Sequence, residues 1–499
     1  MRFMSIAFFT AGIVIGSVPG AGHAATEDQE INEFLRAFHA DPAKAMALEP
    51  KKSSAFAGPS KFHSVDEAVK LRTEMRERLC ESPESECRKK RPHLFQEIGD
   101  RDLAKALLAG DQTLYRLAEM EEKSLTEAEL EKVPWSDHYW PYYQGTLGWR
   151  YLDRNFPGGD FLANHNYVAL APAGTVDPRV LSPSEKYDLL VGDGAGTLTS
   201  SNWRRGWERI EIGKSIQDWM GICDGWAAAA SMEEEPKDRV EVTAPDGTPI
   251  TFYPSDIKAL ASSMWADSAF TWASVGQKCL VAEPARDEVG RVVDPDCFTT
   301  NPGTWHLSVV NQIGISRRHL VMDATYDLQV WNQPVFKYRY KYFNPQSLEV
   351  SDRLYGSVIP IEQYAIDKFR KYRSPKARFV VGIAMTVTYV DESPPSASAR
   401  KVTPKVPVRY VYDLELDADH KIIGGEWYHM KHPDFIWAPM PGARPVSKGE
   451  KALGEVAVWD GFGPVPENLL RAARVSSPER EPVSAIVRGL IKRSQGSQQ

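Results

Sequence analysis

The segment Ser215-Ile-Gln-Asp-Trp-Met-Gly-Ile-Cys-Asp-Gly-Trp-Ala-Ala-Ala-Ala-Ser231 constrains the fold more than any other. Gly221 supplies a turn and the run after it is built from strong helix formers, so a helix starts at Cys223. At a helix N-terminus the exposed backbone N–H groups and the positive end of the dipole favour thiolate over thiol. The same donors can hold the oxyanion of a tetrahedral intermediate, with the Cys223 amide as one arm and Gln217 or Trp219 as the other.

The other cysteines bear on what Cys223 is for. The chain opens with Arg2, a mostly apolar stretch from Ile6 to Val18 and small residues up to Ala24, the pattern of a secretory signal cleaved after Ala24. That apolar run is shorter than the ~20 residues needed to span a bilayer, so the expectation is a secreted or periplasmic protein that leaves the membrane after cleavage. Outside the cytosol neighbouring thiols oxidise, and the five cysteines offer two pairs, Cys80 with Cys87 and Cys279 with Cys297. Cys223 is left over. Two explanations stand for a free thiol there, burial as a small apolar residue or use as a nucleophile.

The organisation of the chain follows from pattern changes. After the signal at 1–24, residues 25–130 are helical in character, with a capping box at Ser64 and Glu67 and a second run through Leu103, Leu107, Leu108, Leu114 and Leu117. A core at 131–375 begins with the crowded aromatics Trp135, His138, Tyr139, Trp140, Tyr142 and Tyr143, which suit core packing or a ligand wall. Residues 376–475 are β-rich, with strands expected over 378–389 and 406–416, and 476–499 read as a flexible tail with a short helix near Ile486 to Ile491. Asp413, Glu415, Asp417 and Asp419 alternate as in a calcium loop but lack its glycine and closing glutamate, so they read as a solvated hairpin edge. The net charge of -7 is spread without a block of one sign, which gives no footprint for nucleic acid.

A thiolate needs a proton acceptor. In Asn301-Pro-Gly-Thr-Trp-His-Leu-Ser-Val-Val-Asn-Gln-Ile-Gly-Ile315 the pattern predicts a strand opening at His306. Asp323 ends a second expected strand in Arg318-His-Leu-Val-Met-Asp-Ala-Thr-Tyr326, and a turn near Gly314 would make the two a hairpin with His306 facing Asp323. Asp327 is the nearby competitor.

A Gly-x-Cys entering a helix, a His-led strand and Asp-Ala-Thr at the end of the next strand resemble the transglutaminase core. The closer likeness is to the transglutaminase elicitor family, carried by Trp135-Ser-Asp-His-Tyr-Trp-Pro-Tyr142, Ser182-Pro-Ser-Glu-Lys-Tyr-Asp188, Gly221-Ile-Cys-Asp-Gly-Trp-Ala227, Ile422-Ile-Gly-Gly-Glu-Trp427 and His432-Pro-Asp-Phe-Ile-Trp437. The resemblance implies an α+β fold: a papain-like, transglutaminase-like cysteine-enzyme core with the N-terminal helical region and the C-terminal β-rich extension added. It implies Cys223 as nucleophile, His306 as general base and then acid, and Asp323 as the group orienting the imidazole. The implied reaction is transfer of a glutamine γ-acyl group to a lysine or other primary amine with release of ammonia, on protein or peptide substrates and with no cofactor required. Calcium dependence occurs in the wider family, but the sequence offers no dedicated site. Trp226 and Trp305 are candidates, with Gln217 and Trp219, for a site that limits water. With water as acceptor the same triad would make a peptidase, amidase or deamidase, and a silent wall-binding module is the third class. One departure from compact relatives is the length between Cys223 and His306, which includes a hairpin signal at Asp246-Gly247 and the Cys279 to Cys297 loop, both expected to border the cleft.

Overall fold

The computed structural model describes residues 26–52, 104, 107, 113–213, 215–279, 281, 283–325, 329–398, 403–454 and 458–496. The signal segment, the Ser64–Glu67 capping box, the Cys80 and Cys87 pair and Asp327 lie outside the described residues.

The described chain is a mixed helix and sheet structure organised on one large antiparallel sheet. Its main strands are β1 (Lys51–Lys52), β2 (Glu127–Glu129), the separate β3–β4 hairpin (Val240–Thr243 and Pro249–Phe252), β5 (Trp272–Gly276), β6 (Leu320–Asp323), β7 (Asn332–Phe343), β8 (Val350–Ser351), β9 (Val358–Pro360), β10 (Phe379–Val390), β11 (Lys405–Leu416), β12 (Ile422–Trp427) and β13 (Phe435–Pro439). The order is β1-β11-β10-β7-β6-β13-β5, with β12 on β11, β2 and β8 on β7, and β9 on β10. The helices that place the site are α1 (Glu27–Ala40), α2 (Thr197–Glu211), α3 (Cys223–Met232), α4 (Pro254–Asp267), α5 (Pro302–Val309) and α6 (Ser484–Gln495).

Side-chain alternation explains the layers. In β7, Phe336, Tyr338, Tyr340 and Tyr342 are buried on one face while Lys337, Arg339 and Lys341 point the other way, the period of two that a pleated strand imposes. On the tyrosine face, Met385 of β10 and Tyr410 and Tyr412 of β11 join the core that α3 and α4 complete. On the other face α1 buries Ile31, Leu35 and Phe38 at helical spacing, and Phe38 stacks on Tyr428 with ring centroids 4.1 Å apart. Thr300 ties the sheet's ends together: its N–H donates to the Asp434 carbonyl and its carbonyl accepts from the Trp427 indole. Helix α5 packs on β11 and β12.

Three expectations change. The division near residue 375 runs through one sheet, since β10 pairs with β7 from Gly382↔Phe343 onward. The tail is not loose: the expected short helix near Ile486 to Ile491 forms as part of α6, which packs on α4 and buries Ile486, Val487, Leu490 and Ile491, each contributing about 1.5 to 3 kcal/mol. Asp413 and Glu415 are not a solvated edge, because both are buried against the Arg373 guanidinium. The β3–β4 hairpin forms as expected, with Gly247 at φ +90° in its turn.

Candidate functional site

Helix α3 begins at Cys223, as the sequence predicts. Close approach explains the glycines around it. A Cβ on Gly221 would lie 2.3 Å from the Tyr139 carbonyl oxygen, and one on Gly225 would lie 2.2 Å from the Ser262 carbonyl of α4. Ile222 donates its N–H to the Tyr139 carbonyl at 2.7 Å, which anchors the turn, and the four alanines that follow Trp226 are fully buried. The helix is therefore held inside the core with its first residue at the edge of a cleft.

That cleft has a volume of about 730 Å³, and Cys223 shares its lining with Trp219, Trp265, Trp272, Asn332 and Trp437. The Cys223 thiol donates to the Val330 carbonyl at 3.5 Å, and the Asn332 side-chain N–H donates to Sγ at 3.5 Å. The Trp437 indole donates to Asn332 Oδ1 at 2.8 Å. Burial pushes the thiol up to about 12, with Asp224 adding to the shift and the Asn332 donors opposing it. At neutral pH Cys223 is a thiol, so desolvation outweighs the helix N-terminus that suggested a thiolate. The expected second disulfide, Cys279–Cys297, is formed, and Cys223 is free.

The structure does not join His306 to Cys223. Asn301 caps a helix, with Pro302 at its first turn, so His306 lies on α5 and not on a strand. Its Nδ1 pairs with the Tyr412 hydroxyl at 2.9 Å, its ring packs edge-on to Tyr340 at 4.8 Å, and its Nε2 has no hydrogen-bond partner. Burial holds its pKa down to about 3, so it stays neutral. Tyr340 stands eight residues along β7 from Asn332, roughly 26 Å of extended chain. No histidine is among the residues lining the cleft.

Asp323 is close to the cleft but does not orient an imidazole. It ends β6 opposite Asn332 in the ladder, so the hairpin partner of its strand is β7. Its Oδ1 accepts from the Trp331 N–H at 3.0 Å and from the Thr325 hydroxyl at 3.0 Å. The carboxylate thus pins the return loop that delivers Val330 and Asn332 to the sulfur. Burial raises it to about 7, with Lys278 opposing, and its Oδ2 has no hydrogen-bond partner.

The four accessory candidates divide. Trp219 lines the cleft, and its indole donates to Gln217 Oε1 at 2.5 Å. Trp226 is core, with its indole N–H on the Trp135 carbonyl, and Trp305 is core, packed on Tyr410 and Trp427. Of the aromatic cluster, Trp135, Tyr139 and Trp140 are buried while Tyr142 reaches the cleft. The β3–β4 hairpin and the disulfide loop contribute none of the lining residues. Sequence reasoning assigned no role to Asn332 or Trp437. The signal available was the Phe435-Ile-Trp437 strand, which carried the family likeness without a stated function.

The chain belongs to the transglutaminase elicitor family, whose model matches residues 112–454. Among solved structures, one described as the GP42 transglutaminase from Phytophthora sojae is similar, with 20% identity over 77% of this chain and 99% of that chain and a TM-score of 0.49. No curated protein matches the sequence.

Proposed function

We propose that this protein is an exported acyltransferase of the transglutaminase type, with Cys223 as nucleophile. The observation that carries the reading is a free cysteine at the first turn of α3, in the wall of a cleft, in a member of the transglutaminase elicitor family. The Cys279–Cys297 disulfide supports export, and no helix among the described residues is long and apolar enough to cross a membrane.

In the first half-reaction the sulfur bonds to the γ-carbonyl carbon of a glutamine side chain, the carbon–nitrogen bond breaks, and the thiol proton leaves with the nitrogen as ammonia. A lysine amine then attacks the thioester, its nitrogen bonds to the carbonyl carbon, and the sulfur recovers a proton from that amine. Thiol and amide together balance to thioester and ammonia, so the step consumes no further co-reactant. The tryptophans lining the cleft give a bound substrate apolar walls from which to displace water, which supports an amine as the second acceptor. The protonated thiol and the absence of a histidine from the cleft lining favour a second reading, a non-catalytic binding module that keeps the fold.

The test uses the purified mature chain and its Cys223→Ala variant, following ammonia release and incorporation of a labelled primary amine into a glutamine-rich protein. Cys223-dependent incorporation is expected. Ammonia without incorporation would identify a deamidase, new amino termini a peptidase, and no Cys223-dependent product would leave the binding module.

A further inference from the structure

The buried polar contacts of the cleft converge on one side chain. Asn332 is 5% exposed and Trp437 7%, so their hydrogen bond is shielded from water. The orientation of an asparagine amide is ordinarily ambiguous, but here chemistry settles it. An indole N–H can only donate, so the atom facing Trp437 is the amide oxygen, and the NH2 group must face Cys223 Sγ. The backbone N–H of Asn332 acts in the same sense, favouring the ionised sulfur.

Register explains why this arrangement persists. Asn332 pairs with Asp323 at the start of β7, and Trp437 pairs with Val321 on the other side of β6, so three adjacent strands hold the set. In the resting state the thiol donates to the Val330 carbonyl. Once ionised, the sulfur has no proton to give and needs donors, and Asn332 is the side chain in place to supply one. The charged groups acting on the sulfur from around it are Asp224 on its own helix and Glu392 just beyond β10, both of which oppose ionisation; Arg209 of α2 and Asp267 of α4 line the same cleft.

On this basis, and resting on the reading of Cys223 as nucleophile, we infer that Asn332 is a further catalytic residue, donating to the Cys223 sulfur as it ionises and attacks. Trp437 is the positioning residue that sets the amide's orientation. The arrangement places the donor on a strand end, where the position expected for an imidazole holds an amide that carries no charge and takes no proton.

The experiment compares the full mature protein with Asn332→Asp and Trp437→Phe, measuring the rate of Cys223 alkylation by iodoacetamide between pH 7 and 9 and the thermal midpoint of each. Asn332→Asp keeps the acceptor for the Trp437 indole but presents an acceptor to the sulfur, so alkylation is expected to slow about tenfold. Trp437→Phe removes the indole N–H while keeping a smaller aromatic ring, and a slowing of about threefold is expected. Unchanged alkylation in a folded Asn332→Asp protein would overturn the inference. Should that variant not fold, unchanged alkylation in Trp437→Phe decides against it and slowed alkylation decides for it. Amine incorporation is recorded in parallel. If wild-type protein incorporates none, the acyl-transfer reading fails, while the alkylation series still decides whether Asn332 governs the sulfur.

Discussion

Two buried polar centres sit on the same sheet and differ in what surrounds them. Around Cys223 the wall is open to a cleft, the sulfur takes a donor from Asn332 at a strand end whose amide is held by the Trp437 indole, and the residue retains 6% exposure. Around His306 there is no opening: the imidazole is fully buried between Tyr340 and Tyr412. The difference teaches that residue types in the order of a triad do not make one. Cys223 and His306 occur in the expected order along the chain, yet one borders solvent-filled space and the other fills core volume.

The largest expected effect breaks the comparison at the cleft. Cys223→Ala should abolish amine incorporation to background, a loss of more than about a thousandfold, with little change in thermal midpoint. Activity surviving in that variant would move the chemistry elsewhere. Next in size, His306→Ala should destabilise the fold by about 2 to 4 kcal/mol in urea unfolding, because it leaves a cavity among aromatic rings. Activity per folded molecule should persist; a folded His306 variant with no activity would show that the imidazole reaches the thiol in solution.

A pH series sharpens the same contrast. A histidine whose folded pKa is lowered contributes stability that is present above its unfolded value near 6.5 and is lost as pH falls toward about 3. Relative to His306→Phe, which cannot titrate, the wild-type protein should therefore lose about 2 kcal/mol between pH 7 and pH 5. The difference between the two proteins isolates His306 from Asp188 and Glu415, whose raised pKa values of about 7 act in the opposite sense. Parallel stability curves would mean the imidazole is solvated. Smallest of all, Gln217→Ala should change amine incorporation by less than about threefold, since the Gln217 oxygen accepts from Trp219 in the structure. A hundredfold loss would restore Gln217 as an oxyanion donor.

Several features were legible in the chain because they depend on neighbours in sequence. The helix start at Cys223 follows from Gly221 and the alanine run, the β3–β4 turn from Asp246-Gly247, and the strands of β10 and β11 from their apolar runs. The pairing of Cys279 with Cys297 followed from spacing and compartment. His306 was misread because an Asn301 cap and Pro302 start a helix as well as a β-like run starts a strand, and burial decided between them. The short helix of the tail was legible, but its packing was not, because the tail's polar residues outnumber the apolar ones that α6 turns toward α4.

What the sequence by itself determined is where Cys223 begins its helix and that, among the described cysteines, this is the one without a partner, both consequences of local propensity and counting. Only the tertiary structure decided what the sulfur touches. Asn332 and Trp437 are more than a hundred residues from each other and from Cys223, and they meet because β13, β6 and β7 are hydrogen-bonded side by side. Sheet order and register are set by packing over the whole core, so no window of sequence contains them.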